Sequence, residues 1–278
     1  MIVDAHHHFW DPATTDYPWL TDELASIRRA FGPDDLEPAL QANSVDATVL
    51  VQTRSSLEET EEFLALADRT PFVRGVVGWV DLTDPGVVDT IAALRERPDG
   101  AHLVGIRHQA HDEPDPEWLV GDDVIRGIQA VGRAGLVYDL LVRSRELPAA
   151  LAIAKRLPDV PFVIDHIGKP PIASAELEPW ASRIAPFREL EHVACKISGM
   201  VTEADWSTWT PADLQPYVDH VLEVFGPDRL LFGSDWPVCL LAARYDQVLD
   251  AARATLASLG DDDRARVLGG TAGRVYRL

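Results

Sequence analysis

Three stretches of this chain gather side chains that bind metals or move protons. The first, Ile2-Val3-Asp4-Ala5-His6-His7-His8, is an apolar run closing in three histidines. Alternate side chains of a strand share a face, so His6 and His8 point one way and His7 the other. Two imidazoles so placed can share a metal ion or a substrate oxygen. The triplet continues straight into Phe9-Trp10, unlike an appended affinity tag. The second stretch, Phe162-Val163-Ile164-Asp165-His166-Ile167-Gly168-Lys169-Pro170, puts a histidine where a strand gives way to a turn. The third, Leu230-Leu231-Phe232-Gly233-Ser234-Asp235-Trp236-Pro237, ends an apolar run in a carboxylate. Such an acid keeps ionised partners or shifts its pKa upward, and both states suit a general base beside histidines. Singly, His166 has a core histidine as its rival reading and Asp235 a helix cap. Together, His6, His8, His166 and Asp235 point to one reacting centre.

These residues need elements that bring them to one place. Short β-branched runs begin at Ile2, Ala47, Phe72, Leu103, Leu136, Phe162, Val193 and Arg229, with amphipathic stretches between them. The runs are too continuously apolar for half-solvated strands and read as strands buried on both faces of a parallel sheet. In the segment after Arg145, Leu147, Ala150, Leu151, Ala154 and Leu157 fall on one helical face. Eight strands with helices between them predict a single α/β domain over residues 1–278, a (β/α)8 TIM-type barrel. A doubly wound sheet is the alternative, but no glycine-rich phosphate loop follows the first strand. The long aromatic segment from Phe9 to about Asp46 reads as an ordered insertion over one barrel mouth. The acidic run Glu58, Glu59, Glu61 and Glu62 reads as a solvated first helical turn. In such a barrel the active site lies at the C-terminal strand ends, where the three stretches terminate.

Composition excludes several classes. The chain carries 25 Lys plus Arg against 45 Asp plus Glu, a formal charge of −20. With three lysines and scattered arginines it offers no basic patch for nucleic acid. No apolar run is long enough to span a membrane, and no secretion signal opens the sequence. Two cysteines, Cys195 and Cys239, make no disulfide framework, so a reducing cytoplasm is the expected compartment. Oligomeric state is not legible.

The set IVDAHHHFWDP, FVIDHIGKP, CKISGM and LLFGSDWP resembles the amidohydrolase superfamily, and within it the lactonase-type members that include sugar lactonases acting on fucono-, galactono- and rhamnonolactones. The resemblance runs from Ile2 to about Gly270. It implies a distorted barrel that hydrolyses a cyclic ester, with the strand-one histidines, His166 and Asp235 at the reacting centre. Dinuclear relatives carry a bridging Lys or Glu on strand four and a metal-binding His on strand five. Here strand four ends Arg107-His108-Gln109 and strand five reads Leu136-Val137-Tyr138-Asp139-Leu140. His108 and Asp139 are the only substitutes on offer, and Lys196 lies on strand seven. The expectation is therefore at most one divalent ion, zinc by the donor types, on His6, His8, His166 and Asp235, or catalysis without a metal. No organic cofactor is implied.

A lactone needs a water delivered and one oxyanion stabilised. Asp235 suits the first task, and the histidines, directly or through a metal ion, suit the second. For holding the small lactone substrate, the strand-end candidates are Trp10, Trp79, Arg107, His108, Tyr138, Lys169 and Trp236. Arg54, Arg107 and Arg143 keep an anionic lactone open. Two other readings stand beside this one: a metal-dependent decarboxylase of an aromatic or muconate-like acid, and a catalytically silent metal-binding or interaction protein on the same fold. The decarboxylase expects the missing strand-five histidine, and the silent protein expects loss of Asp235.

Overall fold

The computed structural model describes residues 1–278. Its eight strands are β1 (Val3–His7), β2 (Ala47–Val51), β3 (Val73–Gly78), β4 (Leu103–His108), β5 (Val137–Leu140), β6 (Phe162–Ile164), β7 (Val193–Ile197) and β8 (Leu230–Phe232). They pair in chain order, every neighbouring pair parallel. The principal helices packed around them are α1 (Pro33–Ala42), α2 (Leu57–Arg69), α3 (Val87–Glu96), α4 (Asp122–Arg133), α5 (Leu147–Arg156), α6 (Trp180–Ile184), α7 (Met200–Glu203), α8 (Pro211–Phe225), α9 (Tyr245–Thr255), α10 (Asp261–Ala265) and α11 (Thr271–Tyr276). This is the (β/α)8 barrel the sequence predicts. No helix is long and apolar enough to cross a membrane.

The seam between β8 and β1 closes differently from the other seven. At its upper end, Asp235 N donates to His6 O at 2.8 Å and His8 N to Trp236 O at 2.7 Å. Lower down a side chain replaces the ladder. The Asp4 carboxylate accepts from Ser234 N (2.8 Å), Ser234 Oγ (2.6 Å) and the Tyr245 hydroxyl on α9 (3.0 Å). Register between β1 and β2 shifts between Asp4 and His7, and a bulge there re-aims the chain.

Strand alternation sorts the interior into layers. Val3, Ala5, Val49, Val51, Val77, Val137, Val163, Ala194 and Leu231 form an apolar floor inside the barrel, completed by Ala272 and Tyr276 of α11. The opposite strand faces, among them Leu50, Val76, Ile106, Tyr138 and Phe162, pack outward against the helices in a far larger cluster. Above the floor the inward positions turn charged: Arg107, Asp139, Asp165 and Lys196, all buried. The residues expected to do chemistry sit above that layer.

Two local expectations meet the structure differently. On α5, Leu147, Ala150 and Ala154 are buried as the periodicity predicts, but Leu151 is only half-buried, and Ala149 and Ile153 are buried beside them. The acidic start of α2 is not wholly solvated. Glu59 is buried and accepts from Thr53 N (2.8 Å) and Arg54 N (2.9 Å), tying down the loop after β2. An unpaired loop N–H has greater use for that carboxylate than bulk water does. The segment between β1 and β2 is ordered by aromatic edges: Trp10 meets Trp19 at 5.0 Å and Phe31 at 5.6 Å, and the Trp10 indole donates to Ile27 O at 3.2 Å.

Candidate active site

The four residues singled out by type and spacing converge at the C-terminal mouth. His6 Nε2 and His8 Nε2 are 3.1 Å apart, and Asp235 Oδ1 lies 3.7 Å from the first and 3.4 Å from the second. His166 Nε2 is 4.0 Å from the same oxygen. All four are buried, yet His8, His166 and Asp235 line a cavity of about 390 Å³.

Each ring is aimed by its other nitrogen. His8 Nδ1 donates to Val51 O at 2.8 Å, which leaves Nε2 an acceptor. His166 Nδ1 meets Ser198 Oγ at 2.9 Å. His6 Nδ1 faces Asp165 Oδ1 at 3.3 Å and Lys196 Nζ at 3.2 Å. His7, on the other strand face, turns from the cavity to Thr48 Oγ1 at 2.9 Å.

Two glycines make room for these rings. A Cβ at Gly199, which has φ +62°, would lie 2.5 Å from His166 Nδ1, and one at Gly233 would lie 2.7 Å from the His6 Cβ. The backbone bends sharply at both strand ends. His166, Ile167 and Lys169 have φ of +54°, +49° and +49°, and Asp235 has +58°. For Ile167 that conformation is strained, at a cost of about 1–3 kcal/mol, and its neighbours must hold it there.

Burial sets the protonation states. It pushes His166 down to about 3 and holds His6 well below the usual imidazole range, so both are neutral. For Asp235 burial acts upward, but the imidazoles of His166, His8 and His6 outweigh it, and the carboxyl lies well below the ordinary range. His6 and His166 therefore offer neutral nitrogen donors beside an ionised carboxylate.

Below it, the carboxylate of Asp165 binds Arg107 Nη1 at 2.8 Å and Lys196 Nζ at 2.9 Å. Lys196 also holds Asp139 at 2.6 Å, and Arg107 is fixed by the Gln52 side chain at 2.8 Å. Arg107 and Asp139 face inward because each alternates with an outward neighbour, His108 and Tyr138 respectively.

Of the seven proposed substrate contacts, only Arg107 and Lys169 line the cavity. Tyr138 is fully buried against Phe162 outside the barrel. His108 stacks on Trp118 at 4.1 Å, accepts from the Trp79 indole at 3.0 Å and meets Glu113 at 2.8 Å. Trp10 and Trp236 belong to the aromatic packing under the first loop. The sequence reading passes over Trp19, Thr53, Gln109, His111, Asp112, Thr202, Glu203 and Trp206, which complete the walls. They lie on loops, short turns or the single turn of α7, all too short for a periodicity to mark them. A tryptophan in a proline-rich loop was the one available signal, for Trp19.

A closed β/α barrel with two strand-one histidines, a strand-six histidine and a strand-eight aspartate at its upper mouth defines an amidohydrolase-type site. The amidohydrolase family profile matches residues 3–278, and the chain belongs to that family. Within it, the chain is similar to two proteins named L-fucono-1,5-lactonase. That of Burkholderia multivorans is 39% identical over 289 residues, covering 100% of this chain and 96% of the relative. That of Burkholderia ambifaria is 41% identical, covering 99% and 95%. A crystal structure of a Burkholderia multivorans amidohydrolase with bound zinc superposes with a TM-score of 0.94 at 38% identity, covering 100% of this chain and 99% of that one.

Proposed function

We propose that this protein is a lactone hydrolase that opens a neutral sugar lactone, using one divalent ion, zinc, held by His6, His8 and Asp235 with His166 beside them. The observation that carries this reading is the triangle of Nε2, Nε2 and Oδ1 with sides of 3.1, 3.4 and 3.7 Å beside the cavity. Ligands on zinc at about 2.0–2.1 Å in tetrahedral array stand about 3.3 Å from one another, so the donor set fits. When bound, such an ion supplies Lewis-acid polarisation of the carbonyl. The two lactonase relatives and the zinc-bound neighbour support the same reading.

The chain's own residues do the rest. Asp235 turns Oδ1 to the imidazoles, and its second oxygen takes the proton from the attacking water. His166 lines the cavity beside His6 and Asp235, and its Nε2 is placed to hydrogen-bond the oxyanion or the water. The cations bordering the cavity are largely committed: Arg107 to Asp165, and Lys169 to Glu203 at 2.6 Å. Of the three arginines that kept an anionic lactone open, Arg54 pairs with Glu59 and does not line the cavity, which leaves Arg107 and Arg143 at its wall, only Arg143 without an acidic partner. Lys169, Glu203, Asp112 and Gln109 suit sugar hydroxyls, and the Trp19 and Trp206 rings suit the apolar face of a sugar.

The decarboxylase reading is less well supported, because Asp139 stands where a strand-five histidine would and is engaged by Lys196. A pH-indicator screen of the zinc-loaded protein over neutral aldonolactones and aromatic acids separates the two. Ring opening is expected. Carbon dioxide release from an aromatic acid, with every lactone untouched, would defeat the proposal.

A further inference from the structure

We infer that the lactone this site takes carries a second sugar ring, held in a separate lobe between the loops that follow β2 and β4; the substrate class so named rests on the lactone reading above. Beside the cavity of about 390 Å³ that reaches His8, His166 and Asp235 lies another of about 420 Å³. Trp19, Thr53, Gln109 and Asp112 line both, so the two spaces meet along one wall. Each falls within the range of about 300–1,000 Å³ typical of small-ligand pockets. A lactone ring with its carbonyl at the reacting centre occupies the first and leaves the second for what the ring bears.

The shared wall and the lobe behind it are held in place by the protein itself. Gln109 ties the two loops together: its side-chain oxygen accepts from Gln52 Nε2 at 3.0 Å and Ser55 Oγ at 3.1 Å, and its amide donates to Thr53 O at 3.1 Å. Trp19 stands edge-on to Trp10 at 5.0 Å. In the lobe, the Trp79 indole donates to His108 Nδ1 at 3.0 Å, which leaves Nε2–H to donate to Glu113 Oε1 at 2.8 Å. Glu113 thus lines the lobe with its second oxygen free of protein partners. Walls fixed in advance lower the ordering cost of binding.

Their chemistry selects a neutral polyol. Ser55, Gln109 and Glu113 present hydroxyl, amide and carboxylate groups to sugar hydroxyls, and Trp19 offers a face for a ring. Arg54, the one arginine there, is paired with Glu59 at 3.3 Å. Asp112, held below the ordinary carboxylate range by His111, and Glu113 oppose a phosphate or a uronate. The rival role is a plain entrance through which any lactone passes.

The test compares an aldonolactone with the same lactone glycosylated on a hydroxyl remote from the carbonyl, and follows both rings of the matching disaccharide alditol by saturation-transfer NMR. In the parent, kcat/KM should be about tenfold higher for the glycosylated lactone, the worth of one or two neutral hydrogen bonds, and both alditol rings should receive saturation. Ser55 is exposed, so Ser55→Trp fills the lobe from its rim. It should abolish the preference and the distal-ring signal, with kcat/KM for the plain lactone within about threefold of the parent. Ser55→Ala loses the bond to Gln109 but leaves the space, and should keep both. The parent's own comparison carries the test if the tryptophan variant does not fold. A parent that opens the plain lactone equally well and leaves the distal ring unsaturated would overturn the inference and leave the lactone reading standing. So would a preference that survives Ser55→Trp, or a phosphorylated lactone preferred to the glycosylated one. A protein that opens neither lactone yet saturates the distal ring, and loses that signal in Ser55→Trp, would keep the lobe and defeat the lactone reading; neither turnover nor saturation would defeat both.

Discussion

His6 and His8 bring their Nε2 atoms within 3.1 Å of each other, although the Nδ1–H of His8 donates to Val51 O, which leaves the Nε2 of a neutral ring only a lone pair to offer. Asp235 adds a carboxylate oxygen to the same point. Three electron-rich atoms facing one another in a buried place are satisfied together only by a cation or a shared proton. That demand is built by β1 and β8 at the seam where the barrel closes, so stability and metal loading should be linked.

Chelation should therefore remove both activity and thermal stability, and one equivalent of zinc should restore them. With free zinc at about a hundredfold its Kd, the gain is about 2.7 kcal/mol, provided the unfolded chain binds little. Calorimetry with and without chelator, alongside elemental analysis, checks this. His6, Asp165 and His166 form a second potential triad, but Arg107 and Lys196 against Asp165 repel another dication. Two ions per chain would show that those cations do not exclude it.

Asp235→Asn tests the base. Its backbone sits at φ +58°, which asparagine tolerates, so the substitution adds little strain. Turnover of a responsive lactone should fall by roughly 10²–10⁴-fold with KM little changed. Zinc content measured on the same sample distinguishes a lost base from a lost ligand. An active, zinc-replete variant would return Asp235 to a structural role.

The reacting centre was legible because it lies on strands, where alternation fixes direction and β/α order fixes which end is used. His6, His8, His166 and Asp235 all stand at strand ends. The same alternation, applied to Arg107-His108 and Tyr138-Asp139, would have sent His108 and Tyr138 outward and placed Asp139 inside, had the phase of β4 and β5 been known. Phase was not readable there because these strands carry apolar residues on both faces and a polar side chain on each, Arg107 beside His108 and Asp139 beside Tyr138, so neither side is marked as interior. Glu59 was misread for a related reason: a helix-start carboxylate looks the same whether it faces water or a loop amide. Trp206, Glu203 and Asp112 depend on loop paths, which local sequence does not encode.

Substrate holding should be separable from chemistry. Glu203→Gln keeps an acceptor for Lys169 but removes the charge that a sugar hydroxyl would meet, and Trp206 is exposed, so Trp206→Ala costs little stability. Each should raise KM about tenfold or more, roughly the loss of one charged hydrogen bond or one stacking contact, and leave kcat within a few-fold. Steady-state kinetics on the best lactone decides it. A fall in kcat with KM unchanged would place these residues in the transition state instead.

The buried His7 should make stability pH-dependent in a direction that can be fixed in advance. Burial, and then the neighbouring His8, pushes His7 down to about 3, whereas an unfolded chain takes up that proton near 6.5. Between those values the unfolded state binds more protons than the folded one, so this histidine removes stability as pH falls below about 6.5, by up to about 1.4 kcal/mol per pH unit. His166, also near 3, adds a slope of the same sign. Asp4, pushed up to about 6 by burial, works the other way, since its folded state takes the proton more readily between about 3.8 and 6. The parent's net slope therefore mixes opposing groups, and the informative quantity is a difference. His7→Phe keeps a ring against Phe9 and deletes only the bond to Thr48, whose hydroxyl still has Phe72 O at 3.4 Å. Urea unfolding of parent and variant at pH 7.5 and 5.5 should show their stability difference moving by about 1.4 kcal/mol in the variant's favour at the lower pH. Parallel curves would mean that folded His7 accepts its proton at an ordinary pKa, and that the outward face of β1 is open to water.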